Sequence, residues 1–307
     1  MKKQSLGKSE LMVPSIAVGC MRIDAMEDRQ LDSYLAFCLE NGLNFFDHAD
    51  IYGKGLCETK FGQAVKRMGI QREDLILQSK CGIVPGIMYD FSKEHILKSV
   101  DDILKRLGTE YLDVLVLHRP DALAEPEEVA EAFNSLEDSG KVRHFGVSNH
   151  KPMQIELLKK AVKQPLLVNQ LQLSLPFSTM IANGLEVNMQ TEGAVDRDGS
   201  VLDYSRLNDM TIQAWSPFQY GFFEGVFIGN QDKFPELNQT LTELAEKYDT
   251  TPTAIVTAWI LRHPAKIQMI AGTTNQGRME EIVNGSEIQL SREEWYRLYM
   301  SSGHILP

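Results

Sequence analysis

Asp47, Tyr52, Lys80 and His118 form a spaced series of side chains able to move a proton and steady a charge. A lysine that closes a buried strand loses its water and needs a nearby carboxylate or a lowered pKa. Asp47 is the partner the sequence offers. A tyrosine beside a buried cation has its pKa pulled down toward working pH and becomes a usable general acid. His118 can donate to or accept from the same oxygen. Phenol, ammonium, carboxylate and imidazole around one point suit the protonation of a carbonyl oxygen, with the hydride coming from a cofactor. Singly, each residue has a plainer role: Asp47 as a helix cap, Lys80 reaching to solvent, Tyr52 as packing, His118 as a core histidine. The chemical reading depends on the four being brought to one edge.

Eight apolar runs could do that: Ile16–Val18, Leu43–Phe46, Leu75–Leu77, Leu112–Leu117, Phe145–Val147, Leu166–Val168, Met210–Ala214 and Met269–Ala271. They are almost wholly apolar rather than alternating, as expected of parallel strands buried on both faces. Helical stripes lie between them, such as Leu31, Tyr34, Leu35, Cys38 and Leu39, or Ile96, Val100, Ile103, Leu104 and Leu107. Gly42, Gly108 and Gly140 follow helical patterns as left-handed caps. Thr251-Pro252 reads as an N-cap with proline at the first helical position, and Ser291–Glu294 as a capping box. Eight strand–helix units in series predict a closed (β/α)8 TIM barrel with a C-terminal helix, formed as a single domain over 1–307. A doubly wound sheet would call for a GxGxxG turn after the first strand, and none is present. Asn183–Asp203 and Trp215–Pro235 are expected to be long loops.

In such a barrel the C-terminal strand ends share one mouth. They carry Asp47, Lys80, His118, Ser148 and Asn149, Asn169 and Gln170, Trp215 and Ser216, and Gly272 and Thr273. A Schiff-base lyase acting through Lys80 is a competing chemistry on this scaffold. A metal site could draw only on His48, Asp50 and His118, and no HxH pair follows a strand. No metal is therefore expected. His48 has no assignable role.

The motifs resemble the aldo-keto reductase superfamily: Phe46-Asp-His-Ala-Asp-Ile-Tyr-Gly53, Lys80, Leu117-His118, Gly146-Val-Ser-Asn149 and Asn169-Gln170, in register across nearly the whole chain. Leu6-Gly-Lys-Ser-Glu-Leu11, Val18-Gly-Cys-Met21 and Ala271-Gly-Thr-Thr274 are similar to it as well. Ser79-Lys-Cys-Gly82 and His118-Arg-Pro-Asp121 resemble most a largely uncharacterised bacterial branch. The resemblance implies a barrel floored by an N-terminal hairpin and reduction of aldehydes or ketones with NADPH. It implies Tyr52 as proton donor, Lys80 with Asp47 lowering its pKa, and His118 orienting the carbonyl. Ser148, Asn149 and Gln170 would meet the nicotinamide carboxamide, and Trp215 would stack on the ring where tyrosine is usual. The loop from Ser216 to Gly225 would cover the diphosphate. Gly272 stands where a phosphate-binding lysine is common, while Thr273, Thr274 and Arg278 match the rest of that site, so NADPH is favoured with NADH possible. Glu281 matches the adenine site, with Ile282 where asparagine is common. Some relatives in this superfamily are NADPH-binding regulatory subunits that sense redox state, which is the alternative function.

The bulk composition narrows the partners. The 307 residues carry a formal charge of −11, with 31 basic against 42 acidic side chains. That argues against a nucleic-acid or anionic-membrane surface and leaves a small-molecule carbonyl compound as the expected partner. The four cysteines form no CxxC pair, and no targeting segment or apolar 18-residue run is seen. A cytoplasmic monomer is the expectation.

Overall fold

A computed structural model describes residues 1–306. The chain opens with an antiparallel hairpin, β1 (Lys3–Ser5) and β2 (Met12–Pro14). Eight parallel strands then close into a barrel: β3 (Ile16–Gly19), β4 (Phe45–Asp47), β5 (Ile76–Cys81), β8 (Leu112–Leu117), β9 (Val142–Ser148), β10 (Leu166–Gln172), β11 (Thr211–Trp215) and β12 (Gln268–Ala271), with β12 pairing back to β3. A second hairpin, β6 (Ile83–Val84) and β7 (Met88–Tyr89), stands beyond the end of β5. The helices are α1 (Asp28–Glu40), α2 (Leu56–Met68), α3 (Lys93–Leu107), α4 (Pro126–Asp138), α5 (Pro152–Leu158), α6 (Thr179–Leu185), α7 (Val201–Leu207), α8 (Pro235–Lys247), α9 (Pro252–Leu261), α10 (Gln276–Gly285) and α11 (Arg292–Ser301).

Every expected strand is present. Three reach well past their apolar runs: β5 continues from Gln78 to Cys81, β9 gains Val142–His144 and Ser148, and β10 runs on from Asn169 to Gln172. Polar residues stay in these strands because a barrel strand is hydrogen-bonded on both edges whatever its side chains. Asn183–Asp203 is not one loop. It holds the end of α6, a short 3-10 turn at Glu192–Ala194 and the start of α7. Trp215 belongs to β11, and the rest of Trp215–Pro235 is loop up to α8, pinned by a bridge between Gln219 and Val226. The caps form as expected: Thr251 Oγ1 accepts from Ala254 N, and Ser291 and Glu294 make a reciprocal box.

The inside of the barrel is layered. Leu6 and Val13 of the floor hairpin pack with inward-facing Ala17, Phe45, Ile76, Val114, Val116, Val168 and Ile270. The outward residues on the same strands, such as Ile16, Val18, Phe46 and Leu77, join the larger core under the helices. This period-two alternation places Gln78 and Lys80 of β5 on the inner face, on the same side as Ile76. Apolar packing therefore dominates the lower part of the barrel.

Candidate active site

Lys80 is completely buried, and its three donors are all used. Nζ lies 2.8 Å from Asp47 Oδ2, 2.7 Å from the His48 carbonyl and 3.1 Å from the Tyr52 hydroxyl. The Tyr52 and His118 rings meet edge to face, with centroids 6.0 Å apart. The four residues singled out by type thus converge. Tyr52 is aimed by the turn behind it. Gly53, Lys54 and Gly55 all have left-handed φ, and a Cβ on Gly53 would come within 2.9 Å of Asp24 Oδ2.

The charge states follow from the surroundings. Burial pushes the Lys80 ammonium toward neutrality, but Asp47 and Tyr52 outweigh it and its pKa ends above the usual lysine value. Burial drives His118 well below the ordinary histidine range, and the charges of Lys80 and Arg119 add to this. His118 is therefore neutral in working conditions, and its buried Nδ1 has no partner among the described residues. Tyr52 corrects the sequence-based expectation. Burial pushes its pKa up, Lys80 pulls it down and Asp47 pushes up again, and the net direction is upward. Its phenol keeps its proton at neutral pH.

Asp47 is held from below by two amides, Gln78, which sequence reasoning missed, and Gln170, which it expected only at the coenzyme. Its Oδ1 accepts from Gln78 Nε2 at 2.6 Å and from Gln170 Nε2 at 3.1 Å. Both amides also donate to Gln213 Oε1, at 2.9 and 3.1 Å. Gln213 Nε2 donates to Gln268 Oε1 at 2.8 Å, and Gln268 Nε2 reaches the Pro14 carbonyl of the floor at 2.8 Å. A column of buried amides thus crosses the barrel from hairpin to mouth. Gln213 interrupts an apolar run and Gln78 directly follows one, which was the available signal: a polar side chain inside such a strand needs a buried partner.

Beside this cluster, Ser148 Oγ donates to the Gln170 carbonyl at 2.9 Å, and Asn149 Nδ2 donates to Ser148 Oγ at 2.7 Å. Trp215 Nε1 donates to Asn149 Oδ1 at 3.2 Å, which fixes the half-buried indole plane. Asn149 and Ser216 both take left-handed φ. The amide nitrogen of Gln170 is committed to Asp47 and Gln213. Gly272, Thr273 and Thr274 follow β12. Arg22 Nη1 donates to the Gly272 carbonyl at 3.0 Å, and Tyr34 donates to that of Thr273 at 2.6 Å. The α10 start is capped by Asn275, with exposed Arg278 in its first turn and half-buried Glu281 beyond. Ile282 lies in the core and takes no part. Arg22, Arg29, Tyr34, Thr274 and Asn275 line a cavity of about 620 Å³ against this turn. A flat aromatic face, a hydroxyl–amide set and cations near a helix start fit a nicotinamide dinucleotide. Among the described residues, no three His, Cys, Asp or Glu side chains gather as metal ligands, and no helix is long and apolar enough to cross a membrane.

Behind β5, Glu58 is fully buried and accepts from Ser79 Oγ at 2.6 Å and Arg106 Nε at 2.7 Å. Burial, and then the Glu58 charge, push Asp50 up from 3.8 to about 7, against Arg106. His48 is buried, with both ring nitrogens unpartnered and its ring edge-on to Phe61, and burial holds its pKa near 3. Asp50 binds its proton more tightly folded than unfolded. Its contribution to stability is full below about pH 4 and is lost as pH rises to about 7. Asp50→Asn removes that loss. The variant should match the parent at about pH 3 and exceed it by up to about 4 kcal/mol at pH 8. Urea midpoints across that range test this, and parallel curves for the two proteins refute it.

The comparisons agree with the geometry. The model of the "Aldo/keto reductase family" matches residues 15–300. The chain is 35% identical to "Uncharacterized oxidoreductase YcsN" of Bacillus subtilis over 91% of each chain. It is 34% identical to "Oxidoreductase YdhF" of Escherichia coli over 92% of this chain and 91% of that one. The crystal structure of the thermostable aldo-keto reductase Tm1743 superposes with a TM-score of 0.78 at 25% identity, over 98% of this chain and all of that one. Matched along almost its full length and built as the same closed barrel, this chain belongs to the aldo/keto reductase family and is an oxidoreductase of that family.

Proposed function

We propose that the protein reduces an aldehyde or ketone to an alcohol with NADPH, with Tyr52 as the proton donor and the whole chain working as one barrel unit. The observation that carries this reading is the 3.1 Å contact between a protonated Tyr52 and a charged Lys80 that is itself 2.8 Å from Asp47. The nicotinamide coenzyme, when bound, supplies the hydride. Tyr52 gives its proton to the carbonyl oxygen as negative charge develops there. Lys80, kept cationic by Asp47, stabilises the phenolate that remains. Neutral His118 steers the carbonyl oxygen by a hydrogen bond. Ser148, Asn149 and the Gln170 oxygen hold the carboxamide, the Trp215 face carries the ring, and the loop from Ser216 to Gly225 covers the diphosphate. Arg22, bonded to the Gly272 carbonyl, lies against the turn after β12. Thr273, Thr274 and Arg278 take the 2′-phosphate, which favours NADPH over NADH, and Glu281 takes the adenine. The substrate is a small carbonyl compound, and the protein acts as a monomer in the cytoplasm.

Titration of the tryptophan fluorescence with NADPH and with NADH, followed by coenzyme oxidation with a panel of aldehydes, tests the assignment. Quenching at lower NADPH than NADH, together with turnover, is expected. Tight NADPH binding with no turnover of any carbonyl compound would replace this reading with a redox-sensing regulatory role.

A further inference from the structure

Arg119 follows His118 at the end of β8, and its side chain reaches across the mouth. Its guanidinium carbon lies 5.9 Å from the centroids of both the Trp215 and Phe222 rings. Phe222 and Phe223 are exposed and pack edge to face with centroids 4.6 Å apart. Ile87, Met88 and Tyr89 of the β6–β7 hairpin are also exposed. Among the described residues Arg119 has no hydrogen bond and no ion pair, although acidic side chains outnumber basic ones 42 to 31. The other partly buried arginines are not left so. Arg72 holds Asp113 at 2.7 Å, and Arg106 holds Glu58 at 2.7 Å. Burial draws the Arg119 pKa below the ordinary arginine value, with Tyr89 acting the other way and no carboxylate contributing.

A half-buried guanidinium without an anion is costly to keep, and aromatic faces repay only about 0.5–2 kcal/mol of that cost. The planar fork matches one carboxylate in bidentate fashion. A single cation walled by aromatic rings suits a monoanion carried on a flat apolar spacer. We infer that Arg119 binds a carboxylate of the substrate, so that the preferred substrates are oxo acids whose carbonyl and carboxylate are joined by an apolar, ring-like spacer. This inference rests on the proposed carbonyl reduction and adds its substrate class.

The test compares para-formylbenzoate with its methyl ester, which keeps the ring and the aldehyde and removes the charge. The parent protein should show a KM for the acid lower than that for the ester by about tenfold or more, the scale of one charged hydrogen-bonded contact. Arg119→Met should raise the KM for the acid by about the same factor, leave the ester and the NADPH KM within about twofold, and Arg119→Lys should restore part of the preference. A binding readout stands beside the kinetics. Benzoate should quench tryptophan fluorescence in the parent, since Trp215 adjoins Arg119, and should fail to do so in Arg119→Met. Equal KM values for acid and ester in the parent, equal effects of Arg119→Met on both, or a shift confined to the NADPH KM would overturn the inference. If neither aldehyde is turned over, the proposed reduction fails, and benzoate quenching alone decides whether Arg119 is an anion site.

Discussion

Tyr52→Phe should fold, bind NADPH as the parent does and lose about 10²–10⁴-fold in kcat/KM for carbonyl reduction, the range of one positioned general acid. The substitution removes a single oxygen. The ring remains edge-on to His118, and Lys80 keeps its bonds to Asp47 and to the His48 carbonyl. The loss should therefore fall on chemistry and leave coenzyme affinity unchanged, which steady-state kinetics with a fluorescence titration separates. Because Tyr52 sits above an ordinary phenol, reduction by the parent should hold steady through neutral pH and decline only in alkaline solution. Parental kcat in the Tyr52→Phe variant would remove Tyr52 from the mechanism.

Lys80→Met should cost stability as well as activity. It leaves the Asp47 carboxylate buried at the mouth, still bonded to Gln78 and Gln170 but without its counter-ion. Removing one member of a buried ion pair typically costs about 3–5 kcal/mol, because the remaining charge keeps its desolvation penalty. Asp47→Asn combined with Lys80→Met removes both charges and should recover a large part of that loss while remaining inactive. Guanidinium denaturation of the parent, the single variants and the double variant closes the cycle. Parental stability in Lys80→Met, or a double variant weaker than Lys80→Met, contradicts the assignment.

The barrel was legible because parallel strands buried on both faces are written as short apolar runs, and all eight survive in the structure. Their C-terminal ends point to Asp47, Lys80 and His118 in the sequence itself. Other features are carried by distance across the barrel. Gln78 and Gln213 are far apart in sequence and become partners only when β5 and β11 face each other. Arg22 and Arg119 depend on where long side chains reach, and local pattern does not encode that. The upward shift of Tyr52 escapes the sequence because the neighbouring cation is visible in the motif, whereas the extent of burial emerges only from packing. The helices that overlap 183–203, α6 and α7, escaped as well, because their short turns carry no clear period.

The amide column has a consequence for how this protein is made. During synthesis, Asp47, Tyr52, Lys80 and His118 all leave the ribosome before residue 120, while Gln213 and Gln268 emerge much later. The proton-handling group can gather early, yet the donors of Asp47 are tied to the floor only when the last strand docks against the first. Closure of the ring and completion of the site are then one event, so a nascent chain lacking β12 would have the parts of the chemistry without a finished seat for its carboxylate.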